Sequence, residues 1–153
     1  MIIQTICAFF VAFSFGVLFN IQGKSLYVAG GGGALGWFVY KLLLNLSVFE
    51  PTALFLASIS FSIYSEKCAR ILKTPSTLFR VCALIVLVPG YGIYNTLTNF
   101  IIKNYTLALD YCISTLSQGC SLALGVILVS SIYKSRRFKI KTHTKNLLFK
   151  ESV

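Results

Sequence analysis

The run LYVAGGGGALGWFVYKLLLNL, Leu26 to Leu46, is 21 residues long and carries one charge, Lys41. A bilayer core takes about 20 apolar residues of helix to cross. In lipid the backbone must satisfy its own hydrogen bonds, so a helix is the form open to such a run. Five of the chain's eleven glycines lie in it. Gly31, Gly33 and Gly36 fit G-x-G-x-x-G, and Glu50 follows near the spacing of a ribose-binding acid. That fingerprint works only between a strand and a helix of a βαβ unit, so here it is coincidental. A loop fails too, because each unpaired backbone group in hydrocarbon costs several kcal/mol. The glycines instead give a helix a bare face. Gly32 and Gly36 form G-x-x-x-G, and Ala29 and Gly33 form a parallel small pair, the spacing that lets helices approach closely in lipid. Gly32, Gly33 and Gly36 are the expected helix-packing residues. Four glycines in succession also leave this helix free to bend in a functional motion.

The rest of the chain is of the same kind. It is 56% hydrophobic and 12% charged, against about 25% charged in soluble domains, too few polar side chains to coat a globule. We read an all-α integral membrane protein of about five spans. They are Ile2–Phe19, Leu26–Leu46, a helix from Pro51 whose apolar part ends near Tyr64, Leu78–Ile102, and Leu107–Tyr133. The third continues as an amphipathic piece through EKCARILK, with Glu66 and Arg70 as an i,i+4 pair, and Pro75 stops it. Residues 1–133 form the transmembrane domain and 134–153 a basic cytoplasmic tail. The Ile2–Phe19 span has no basic residue before it and no small-residue cleavage site, so it reads as retained rather than as a secretory signal.

Net charge is +10, with seven of fourteen basic residues after Tyr133 and four more from Lys67 to Arg80. In so apolar a chain this is the positive-inside signal rather than a nucleic-acid footprint. It places the C-terminus in the cytoplasm and the N-terminus outside a bacterial inner membrane. Tyr27, Tyr64 and Tyr133 then fall at the inner interface, and Tyr40, Tyr105 and Tyr111 at the outer one. The five cysteines show no C-x-x-C and read as small apolar filler. The single histidine, His143, has no carboxylate or cysteine cluster near it. No metal spacing and no nucleophile with a base are visible, so neither an enzyme nor a cofactor or metal is expected.

The fourth span is broken at Pro89-Gly90. Leu78 to Val88 is eleven residues, about 16 Å of helix or half a bilayer core. Pro89 lacks an amide hydrogen and clashes with the carbonyl of Ile85. Beyond it, Tyr91, Asn95, Thr98 and Asn99 share one helical face, with Thr96 beside them. A half-helix starting at mid-membrane turns amide hydrogens and a positive dipole end inward, an arrangement that holds anionic groups. The candidate substrate-binding set is Pro89, Gly90, Tyr91, Gly92, Asn95, Thr96 and Thr98. An ordinary proline kink with polar residues bonding neighbouring helices accounts for the same pattern equally well. Asp110 is a candidate ion or proton site, though a carboxylate early in the fifth span also suits the helix dipole, the simpler reading. Lys41 reads as snorkelling to the outer interface. Ser114, Ser117, Gln118 and Ser121 read as a polar stripe bonding other helices.

FGVLFNIQGKSLYVAGGGGALGWFVY, EKCARILKTPSTLF and LVPGYGIYNTL resemble, in order and spacing, the membrane second half of the bacterial threonine/serine exporter family. The resemblance covers roughly residues 9–136. Gln22 stands where that family usually has proline, and Val86 where it often has a second one. The resemblance implies one half of a secondary exporter for a small carboxylate-bearing metabolite, either threonine and serine or a dicarboxylate such as succinate. It further implies the small subunit of the split form, working with a large exporter subunit; an oligomer is left open. The alternative is an accessory membrane subunit that does not itself transport.

Overall fold

Helix ends set the architecture. In the computed structural model, which describes residues 1–150 with side chains as far as Ser135, six helices follow one another. They are α1 (Ile2–Leu18), α2 (Lys24–Asn45), α3 (Glu50–Leu72), α4 (Ser76–Leu87), α5 (Gly90–Ile101) and α6 (Tyr105–Lys150). α1, α2, α3 and α5 each stop at a left-handed residue: Asn20, Ser47, Lys73 and Lys103. The amide that follows bonds back to the last turn, as in Ile21 N–H to Gly16 C=O at 3.0 Å, Val48 to Leu43 at 3.2 Å and Asn104 to Asn99 at 2.9 Å. These Schellman closures satisfy orphan carbonyls within the helix itself. α4 ends differently. Val88 precedes proline, which excludes the helical region, and it takes φ −58°, ψ 130°.

The Pro89-Gly90 break therefore separates α4 from α5, which bend by 51°. α3 begins at Glu50 with Pro51 in its first turn, as expected. Lys134 and the residues after it continue α6 as far as Lys150. The tail's side chains beyond Ser135, His143 among them, and residues 151–153 lie outside the described part.

α2 is the central helix and packs on α1, α3 and α4. Its buried residues are Ser25, Ala29, Gly30, Gly32, Gly33 and Gly36, with nothing larger than serine. α1 answers with Ala8, Ala12 and Gly16, one small residue per turn and all buried. A Cβ on Gly33 would run into Ala12 and sit 3.2 Å from the Ala8 carbonyl oxygen and from Val86. One on Gly36 would meet Leu87 of α4 at 3.0 Å and Phe61 of α3 at 3.2 Å. Gly32 faces Tyr64 and Ala83 at ordinary contact distance. α3 joins this block to α6 through Ser58, which meets Gly125, and through Leu54, which clusters with Leu122. α5 and the first half of α6 form a helical hairpin; α5 packs on α6 and buries none of its own residues.

Small residues fill the interior and large apolar ones face out. Phe10 is 61% exposed, Tyr91 76% and Ile101 81%, whereas the largest fully buried side chains are Phe61 and Phe79. A water-facing surface of that composition is one that associates. Among the described residues, one unbroken helix, Tyr105–Ser135, is long and apolar enough to cross a membrane, and the bent α4–α5 pair qualifies if counted as one span. One local expectation is corrected. Glu66 does not pair with Arg70 one turn on. It binds Arg80 of α4 at 2.6 Å, while Arg70 lies over the Tyr133 ring at 4.8 Å.

Candidate substrate site at the helix break

Pro89 places the last turn of α4 and the first turn of α5 on one wall of a cavity of about 440 Å³. Val88, Pro89, Gly90, Tyr91 and Gly92 line that wall. The Gly90 amide closes a tight turn onto the Val88 carbonyl at 2.7 Å, and the Ile93 amide reaches Pro89 at 3.3 Å. The Tyr91 and Gly92 amides lie between them in the first turn of α5, where a helix has no acceptor of its own. They are donors beside the cavity at the positive end of the helix dipole.

The opposite walls come from three other elements. α6 contributes Tyr111, Ser114, Thr115 and Gln118, spaced three and four apart along one helical face. Gly92 lets this face come close, since a Cβ there would strike the Thr115 hydroxyl. Trp37 and Tyr40 of α2 and Glu50 at the start of α3 complete the lining. The Tyr40 hydroxyl donates to Glu50 Oε1 at 2.8 Å. Trp37 Nε1 is buried without a hydrogen-bond partner, and Lys41 Nζ stands 5.6 Å from its ring centroid. The cavity thus offers two backbone donors, hydroxyls and an amide, and one carboxylate.

The residues expected from the sequence divide in two. Pro89, Gly90, Tyr91 and Gly92 reach the cavity. Asn95, Thr96 and Thr98 do not line it. Each turns its polar group onto its own helix, Asn95 to the Tyr91 carbonyl at 2.9 Å, Thr96 to Gly92 at 2.8 Å and Thr98 to Tyr94 at 2.9 Å. Asp110 is exposed in the second turn of α6, away from the cavity lining. Ser114 and Gln118 of the polar stripe line the cavity, whereas Ser121 bonds the Ser117 carbonyl on its own helix. Among the described residues no three His, Cys, Asp or Glu side chains gather where they could hold a metal.

Residues 4–132 match the family described as threonine/serine exporter, ThrE. The chain belongs to the threonine/serine exporter family. That match takes in every element from α1 to the part of α6 that lines the cavity. No curated protein and no solved structure matches the chain. For an exporter-family chain, a helix broken in mid-length beside a polar cavity is the feature to explain. Sequence reasoning found the break but missed Glu50, Tyr40, Trp37, Tyr111 and Thr115. A signal for the last two existed: Tyr111, Ser114, Thr115 and Gln118 follow the i, i+3, i+4, i+7 pattern of one face. Glu50 gave no such signal, because the turn from α2 into α3 alone brings it beside Tyr40.

Proposed function

We propose that this chain is one half of a secondary exporter that crosses the bacterial inner membrane five times. Its N-terminus lies outside and its C-terminus in the cytoplasm, and it works with a large subunit of the same family. Helix length supports the count. α2 and α3 have 22 and 23 residues, about 33 Å of helix each, close to a bilayer core. The exposed large side chains suit lipid on the outside of the bundle, and the small interior residues suit association without a hydrophobic drive from water.

The cavity at the break carries the functional reading. Its 440 Å³ suits a small metabolite. A substrate carboxylate takes the Tyr91 and Gly92 amides at the start of α5, as anions do at helix N-termini. Glu50, on another wall of the same cavity, suits an ammonium group. A dicarboxylate would bring its second charge towards Glu50 instead. At about 6 Å and an effective dielectric of about 20, that repulsion is roughly 3 kcal/mol, on the order of a hundredfold in affinity. The cavity thus favours zwitterionic amino acids such as threonine and serine over succinate.

The test is co-expression with the large subunit and measured efflux of threonine, serine and succinate. Amino-acid efflux should exceed succinate efflux, and Glu50→Gln should narrow that ratio by about tenfold or more. Succinate as the preferred cargo, with Glu50→Gln silent, overturns the zwitterion reading. Wild-type efflux from both Glu50→Gln and Pro89→Ala at equal expression favours the accessory-subunit alternative.

A further inference from the structure

A second cavity, of about 740 Å³, lies at the other end of α4, where α3 turns into α4 beside α6. Its charge is lopsided. Arg70, Lys73, Arg80 and Lys134 line it, against the single carboxylate of Glu66. Arg80 takes up that carboxylate at 2.6 Å. Among the described residues the other three cations have no acidic partner. Arg70 is nevertheless held in place, its guanidinium 4.8 Å from the Tyr133 ring centroid.

Two further features favour an acceptor in this space. α4 starts behind Pro75, which supplies no side-chain cap, so its first amides are open at the positive end of the helix dipole. Thr74 Oγ1 and Arg80 Nε, both on lining residues, are buried donors with no partner. A small carboxylate would leave most of 740 Å³ unfilled. A tetrahedral phosphate bearing a further group fills more of it and accepts from several donors at once.

We propose that this cavity binds an anionic phosphate group, independently of the transport site at the break. Such a group reaches it either as the headgroup of an anionic phospholipid or as a dissolved phosphate. Basic pockets between helices at a membrane face have the chemistry for the first source. Arg70, Lys73 and Lys134 supply the charge, and the uncapped turn of α4 supplies backbone donors.

The experiment uses the purified full chain in neutral detergent. Native mass spectrometry measures retention of phosphatidylglycerol and phosphatidylcholine, and calorimetry measures binding of inorganic phosphate. The triple variant Arg70→Gln/Lys73→Gln/Lys134→Gln spares Arg80, so the ion pair with Glu66 stays. Lys24→Gln/Lys103→Gln is the control of like kind. Phosphatidylglycerol retained over phosphatidylcholine, weakened on the order of a hundredfold in the triple variant and unchanged in the control, supports the headgroup. Inorganic phosphate binding with the same mutational pattern and no lipid preference supports the site with a dissolved source. No binding of either probe, or binding equally strong in the triple variant when circular dichroism shows it folded, overturns the proposal.

Discussion

Arg80 offers the sharpest test of how the bundle is held together. Its guanidinium donates to Glu66 Oε1 and to Ser76 Oγ, both at 2.6 Å, and to the Ser130 hydroxyl. One side chain thus joins α3, α4 and α6. Both charged partners are only 15% exposed. Removing one member of a buried pair costs about 3–5 kcal/mol, because the remaining charge stays desolvated and unpaired. Here Glu66 keeps the Ser76 hydroxyl at 2.9 Å and some contact with solvent. The expected loss for Arg80→Met is therefore lower, about 2–3 kcal/mol. In Arg80→Met/Glu66→Met both desolvation penalties disappear together, so the loss should fall to about 1 kcal/mol or less. For a chain of this size each kcal/mol moves the midpoint by about 2–4 °C, so Arg80→Met should lower Tm by roughly 4–12 °C. The double variant should recover most of that. Thermal unfolding followed by circular dichroism, in one detergent at one concentration, measures both. A double variant as unstable as Arg80→Met, or less stable, refutes the argument. The destabilisation would then come from lost packing rather than from a stranded carboxylate.

The remaining predictions concern the seams, the site and the topology. Gly33→Leu and Gly36→Leu should each cost about 1–3 kcal/mol by overpacking against α1 and α4 and broaden the size-exclusion profile. Gly92→Ala should cut efflux roughly five- to hundredfold by driving Thr115 away. Adding Thr115→Ala should restore it, and a double variant as slow as the single one counts against that contact. Reporters fused at Met1 and after Val153 should read out on opposite sides of the membrane; both on one side would leave an even number of crossings.

How much of this was legible in the sequence depended on the range of each interaction. Pro89 and Pro51 act on their own backbone, so the break and the start of α3 could be read directly. The apolar run Ile2–Phe19 ended at the structural boundary to within a residue, because the chain turns polar where the helix does. The small face of α1 was equally local, with Ala8, Ala12 and Gly16 four apart, and was overlooked beside the louder glycines of α2. Glu66 shows the other case. A partner one turn away was the natural reading, but a residue fourteen positions on won, because the packing of α4 on α3 brings Arg80 beside Glu66, a tertiary contact that local spacing does not record. Asn95 and Thr96 stand outside the cavity for an axial reason: they share the faces of Tyr91 and Gly92 but lie one turn further along α5, with their polar groups bonded to the carbonyls of those two residues.

The hairpin of α5 and early α6 is tied to the rest of the bundle at two places, and both border the cavity. One tie is Val88–Gly90. The other is α6, whose Leu122 clusters with the cavity residue Leu54 of α3 about one turn after Gly119. A Cβ at Gly90 or Gly119 would meet nothing within 4 Å, so neither glycine is there for close packing. Each instead softens the chain where a rotation would be felt. Were the hairpin to tilt as a unit, it would act as a lever with its fulcrum on the line between these two points. Its arm is α5, about 18 Å long, so a tilt of about 10° carries the far tip roughly 3 Å. α1, α2 and the Arg80 junction need not shift, since the arm packs on none of them. Stiffening the fulcrum should separate stability from speed: Gly119→Ala raises helix propensity by about 1 kcal/mol, yet should slow the stroke.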